Sequence, residues 1–164
     1  MKVCCFSGTK PHSVIWKNRN IEAEVTRLKK LIKERLIELI EHENVRHFIA
    51  GLLIPDDMFP AEIVLELKED YPVTLEYVIP YADLTETWEK ADQDRYVSLF
   101  LQSDRLKILS DYNTPECRDM FSEYLITEGD IFIAIYKVTS GEAVDTVFSA
   151  YKRGKSMHII NPTA

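Results

Sequence analysis

Residues able to hold an anion gather where apolar runs end. The stretch Phe6–Pro11, FSGTKP, closes the first such run with Ser7, Gly8, Thr9 and Lys10. A glycine lets backbone approach a ligand or turn with positive φ. A threonine hydroxyl donates a hydrogen bond, and a lysine neutralises a phosphate. The same residues also make an ordinary strand-exit turn. Gly51, after HFIA, carries the same two readings. Gly141, in SGEAVDT, opens a helix whose unpaired N–H groups attract anions. Glu142 sits in that first turn, where it suits the helix dipole and repels a phosphate. Asp56 and Asp57 stand in the same way at the start of another helix. Two of the best anion positions are therefore guarded by carboxylates.

Other reactive side chains are sparse. Asp57, Glu62 and Glu142 are carboxylates that could work on a glycosidic bond, and each serves equally as a helix cap or surface acid. Cys117 could be a nucleophile, yet the sequence shows no obvious histidine partner for it. Cys4 and Cys5 are adjacent in an apolar run, so as strand residues they face opposite sides and pack as small hydrophobes. His12, His42, His47 and His158 have no ligand spacing, and His47 reads as a strand residue. No metal site and no cofactor are expected. Trp16 and Trp88 either wall a pocket mouth or pack in the core. G-x-G-x-x-G after the first strand and a Walker lysine motif are both absent, which disfavours ordinary dinucleotide binding and P-loop hydrolysis.

These positions are set by alternating apolar and amphipathic runs. Strands are expected over residues 2–8, 45–51, 72–81, 105–110, 130–137 and 155–162. Helices are expected over 21–44, 56–70, 85–104, 114–129 and 140–154. In the first helix Val25, Leu28, Ile32, Leu36, Leu39 and Ile40 keep the spacing of one buried face. Asn44 and Gly154 are stop residues, and Thr114 with Pro115 marks a helix start. Strict alternation of strand and helix predicts a parallel sheet covered on both faces. The expected fold is α/β, a Rossmann-like doubly wound sheet of about six strands in the order 3-2-1-4-5-6. Its ligand crevice would lie beyond the strand carboxyl ends, at a switch between strands 1 and 4.

At 164 residues the chain is expected to form a single domain over 1–164, large enough to fold without disulfide or metal staples. The net charge of −7 opposes binding to a phosphate backbone, so nucleic acid is not an expected partner. No run is apolar and long enough to span a bilayer, and the N-terminus lacks the long apolar core of a signal peptide. A cytoplasmic protein with no membrane partner is expected. Self-association into a homo-oligomer stays open.

Several stretches, in order, resemble the SLOG proteins, specifically the YpsA-like branch, a bacterial Rossmann-like group of largely unsettled function. FSGTKP is similar to F-T-G-H-R-P. The stretch HFIAGLLIPDDMFPAEIVLELKEDYP is similar to H-F-[IL]-S-G-x-A-x-G-x-D-x-x-A-A-E-x-V-L-x-L-K-x-x-Y-P. Tyr112, Thr114, Pro115 and Cys117 echo Y-T-P-x-C, GDIFIAIY resembles the S-D-x-L-I-A-[VL]-Y strand, and SGEAVDTVF resembles a G-G-T-x-x-T-[VI] helix start. Wider relatives include cytokinin-activating phosphoribohydrolases and a DNA-processing protein. The resemblance thus implies a site for a nucleotide or nucleotide-derived small molecule. Carried over, Gly8, Gly51, Asp57, Glu62, Asp130, Gly141 and Thr146 keep motif positions, with Thr9, Lys10, Tyr124 and Glu142 beside them.

The departures concern charge. Thr9-Lys10 replaces His-Arg, which keeps a cation and loses the planar fork. Pro55 replaces a second glycine, Glu142-Ala143 replaces Gly-Thr, and Met120-Phe121-Ser122-Glu123 replaces a basic run before Tyr124. Each lost charge-assisted bond forfeits about 1.5–3 kcal/mol. The expectation is a non-catalytic sensor or regulatory module with a weakened phosphate site. A nucleotide N-glycosidic hydrolase and a DNA-processing role are the alternatives.

Overall fold

The computed structural model describes residues 1–7, 21–135 and 149–160. Strand β1 (Lys2–Ser7) is followed by helix α1 (Ile21–Glu43) and strand β2 (Val45–Gly51). Next come a single 3-10 turn (Pro55–Asp57), helix α2 (Met58–Leu67) and strand β3 (Thr74–Ile79). Helix α3 (Lys90–Gln102), strand β4 (Arg105–Ile108), helix α4 (Cys117–Glu128), strand β5 (Ile131–Ile135) and strand β6 (Ser156–Ile160) complete the described elements. Residues 149–152 form the end of a further helix. No helix among the described residues is long and apolar enough to cross a membrane.

The buried face of α1 is the one its spacing predicts, except that Val25 near its start is only partly buried. Leu28, Ile32, Leu36, Leu39 and Ile40 are buried on the sheet, each contributing about 1.5–3 kcal/mol by leaving water. Asn44 then stops the helix in the left-handed region, at φ 57°, which asparagine tolerates better than most residues. Its carbonyl accepts the Lys2 N–H at 3.0 Å, so the stop also aligns β1 with β2. Gly154 plays the matching part before β6, at φ 76° with open space around its Cα.

The six strands form one parallel sheet, a Rossmann-like doubly wound α/β fold. Its order is β4-β3-β2-β1-β5-β6, which corrects the expected 3-2-1-4-5-6. β4 lies at the edge beside β3, and β5 takes the place beside β1. The reason is chemical. A central parallel strand is covered on both faces and must be apolar throughout. Ile131–Ile135 meets that demand, with all five residues buried. β4 reads Arg-Leu-Lys-Ile, is only partly buried, and puts two cations on an edge where charge discourages pairing with another chain.

This order dictates the layers. The chain steps outward from β1 through β2 and β3 to β4, and α1, α2 and α3 cover one face. α4 then carries it back across the other face to β5. Cys4 belongs to the first core and Cys5 to the second, as adjacent strand residues must. Burial pushes both thiols well above their ordinary range, so they stay protonated.

Three helix starts differ from expectation, and in α2 the first expected residues form the separate 3-10 turn Pro55–Asp57. Between Ala82 and Glu89 the chain makes successive tight turns, including Glu86 N–H to the Asp83 carbonyl and Trp88 N–H to the Thr85 carbonyl, both 3.1 Å. The Gln93 side chain also binds the Thr85 carbonyl at 2.9 Å, so α3 begins only at Lys90. Pro115 and Glu116 likewise form a turn, closed by Cys117 N–H to the Thr114 carbonyl at 3.1 Å, before α4 starts.

Candidate functional site

All six strands run the same way, so their carboxyl ends share one edge. Ser7 ends β1 beside Ala134 of β5, Phe6 lies beside Ala50, and Gly51 lies beside Val78. From β1 the chain continues toward α1 on the first face. From β5 it continues toward the helix that ends at 149–152 on the second face. The switch in strand order thus falls between β1 and β5, where such folds open a crevice. Gly8, Thr9, Lys10 and Trp16 follow β1 in sequence, and Gly141, Glu142 and Thr146 follow β5. All seven lie outside the described residues.

The remaining sequence-predicted residues are described, and they are not gathered at one place. Gly51 ends β2 at this edge. A Cβ there would overlap the ring of Phe121 and stand 3.1 Å from Leu125 Cδ1, so its missing side chain lets α4 seat against β2. Asp57 sits nearby at the head of α2, buried. Its Oδ2 accepts the N–H groups of Leu53 at 2.8 Å and Ile54 at 3.0 Å, which ties down the loop leaving β2. Glu62 lies one turn into α2. Its Oε1 accepts two N–H bonds from Arg95 of α3, one of them 2.9 Å from Nε, and so braces the two helices. Trp88 packs against the first core and meets Tyr96 edge-on at 6.1 Å.

Asp130 stands at the opposite end of the sheet. Its Oδ2 accepts Val3 N–H at 2.9 Å, and its own N–H donates to the Val3 carbonyl at 2.9 Å, at the amino ends of β1 and β5. About 3.3 Å per residue separates it from the carboxyl edge over the length of β5. Tyr124 faces the sheet from α4 and donates to Glu76 Oε1 at 2.6 Å. Cys117, buried at the head of α4, takes a bond from the Thr114 hydroxyl at 3.3 Å and one from its amide at 3.4 Å, which hold the thiol below its ordinary range. The sulfur in turn donates to the Tyr112 carbonyl at 3.2 Å, so it also closes the turn that starts the helix.

Sequence reasoning missed the second polar centre, built on Glu76. This carboxylate is 2% exposed in the middle of β3. Oε1 takes the Tyr124 hydroxyl, and Oε2 lies 3.2 Å from His47 Nε2 on β2. His47 Nδ1 lies 2.6 Å from the Thr74 hydroxyl, directly opposite it in register. Arg105, opposite Glu76 on β4, brings its Nε to 3.9 Å from Oε1. Burial first, then the bond to Glu76, push the Tyr124 phenol far above its ordinary range, so it remains a donor. The readable signal was one acid inside the apolar stretch VTLEYVI, because a buried charge requires partners. Among the described residues, no group of three or more His, Cys, Asp or Glu side chains could hold a metal ion.

The parallel sheet with its switch point defines the class, a Rossmann-like α/β protein. Within that class the chain belongs to the family described as the YspA SLOG family, whose YpsA model matches residues 4–161. It is 26% identical over 118 residues to UPF0398 protein LBA1157 of Lactobacillus acidophilus, covering 70% of this chain and 63% of that protein. It is 25% identical over 139 residues to UPF0398 protein BH1768 of Halalkalibacterium halodurans, covering 83% and 72%. It is 34% identical over 117 residues to UPF0398 protein BBR47_29830 of Brevibacillus brevis, covering 70% and 60%. The matched stretches therefore span about two thirds of these bacterial relatives.

Proposed function

We propose that this protein binds a nucleotide or nucleotide-derived small molecule in the crevice between the carboxyl ends of β1 and β5, as a sensor or regulatory module rather than an enzyme. The observation that carries the reading is the adjacency of Ser7 and Ala134 at the strand carboxyl ends, with α1 packed on one face of the sheet and Ala150 in the core of the other. Gly8, Thr9 and Lys10 follow directly on one of these strands, and Gly141, Glu142 and Thr146 come soon after the other. A sensing role is supported by the acids outside those segments. Asp57 is bonded to loop amides and Glu62 to Arg95, so each carboxylate already holds structure together. The phosphate contact is then left mainly to Lys10.

Calorimetric titration with AMP and with ADP-ribose tests this. The unaltered protein binds at least one of them, and Lys10→Ala weakens that binding about tenfold or more, the effect of one charge-assisted bond, with the melting temperature nearly unchanged. Equal affinities in the two forms would defeat the assignment. So would hydrolysis of AMP to adenine and ribose 5-phosphate at an enzymatic rate, about 1 per second or faster.

A further inference from the structure

The Glu76 cluster lies on the second face of the sheet, away from the β1–β5 crevice, and it has an order of its own. Thr74 is exposed, the His47 side chain is 22% exposed, and the Glu76 side chain is 3% exposed. Hydroxyl, imidazole and carboxylate thus run from solvent into the core, joined at 2.6 Å and 3.2 Å. Tyr124 holds Glu76 Oε1, which leaves Oε2 directed at the imidazole. An ionised carboxylate only accepts, so the bond at Nε2 requires the proton to sit there. In a neutral ring Nδ1 then carries the lone pair, and it faces the Thr74 hydroxyl. The hydroxyl has one proton and a second acceptor, the Arg46 carbonyl at 3.4 Å. The 2.6 Å contact to Nδ1 is far the better of the two.

We infer that Thr74, His47 and Glu76 form a nucleophile, a general base and a positioning carboxylate, and that Thr74 accepts acyl groups from small activated esters. In the step, Thr74 Oγ1 bonds to the acyl carbon, its proton passes to His47 Nδ1, and the ester's leaving oxygen departs with the bonding electron pair. His47 then returns the proton to water or to the leaving group. The product is an acyl ester on Thr74. A base hydrogen-bonded to the nucleophile and oriented by a third group is the arrangement that activates a hydroxyl at neutral pH. It contributes about a hundredfold or more in rate.

The test uses p-nitrophenyl acetate with the intact protein. The expected result is a burst of one nitrophenolate per chain, with an acetyl group on the Thr74 peptide by mass spectrometry. Thr74→Val keeps the shape and the strand and loses both signals, while Thr74→Ser keeps them. His47→Gln slows labelling about a hundredfold. Glu76→Gln slows it about tenfold or more, and nitrogen NMR of the His47 ring shows loss of the Nε2–H tautomer present in the unaltered protein. An equal burst from Thr74→Val, acetyl groups confined to other residues, or an Nδ1–H tautomer in the unaltered protein each overturns the assignment.

Discussion

The two faces of the sheet bury polar groups in opposite ways, and β3 shows both. Tyr77 points to the first face, into a core of α1, α2 and α3 side chains, and is fully buried. Its hydroxyl has no hydrogen-bond partner among the described residues. Burial first, with the charge of Glu62 added, pushes that phenol far above its ordinary range, so it stays neutral. One residue earlier, Glu76 points to the second face and is almost as buried, but it is met from three elements by His47, Tyr124 and Arg105. The first face is stabilised by apolar area and, among the described residues, carries the unpartnered hydroxyl of Tyr77. The second face has a smaller apolar core under α4 and a satisfied polar centre. A buried polar atom costs free energy when alone and specifies neighbours when partnered.

Three substitutions would break or sharpen this contrast. The largest effect belongs to the apolar face. Ile32→Ala deletes a fully buried side chain of α1 and should cost about 2–5 kcal/mol in urea unfolding. A cost below 1 kcal/mol would mean that α1 packs loosely on the sheet. Next comes Tyr124→Phe, which removes one donor from a buried carboxylate and should cost about 1.5–3 kcal/mol. No loss at all would show that Glu76 does not depend on α4. The smallest is Tyr77→Phe. The same atom is deleted, but it has no partner to lose, so stability should stay within about 1 kcal/mol or rise. A cost equal to that of Tyr124→Phe would erase the difference between the faces.

Much of the architecture was readable because the apolar periods change cleanly from two to three-and-four along the chain. The buried face of α1 was legible at Leu28, Ile32, Leu36, Leu39 and Ile40, with Val25 only partly buried, as were the stops at Asn44 and Gly154 and the opposite facing of Cys4 and Cys5. The start of α3 was not, because the side chain of Gln93 holds the Thr85 carbonyl in a turn, a bond that no propensity anticipates. The proposed ligand residues were legible only as loop chemistry and family motif. Tertiary contacts then gave several of them other work: Gly51 seats Phe121, Asp57 clasps two loop amides, and Asp130 lies at the far end of the sheet.

The amino-acid order on its own settled the six strands, the presence of α1 to α4 and the apolar face of α1, since those follow from spacing along one element. It also held the reason for placing β4 at an edge, in its Arg105 and Lys107, though the strand count alone did not reveal it. The neighbours of Glu76 were decided only by tertiary structure. His47, Arg105 and Tyr124 lie on three separate elements, and β pairing together with the return of α4 brings them within bonding distance. Local pattern fixes the direction in which a side chain points, whereas its partners depend on which distant strand lies beside it.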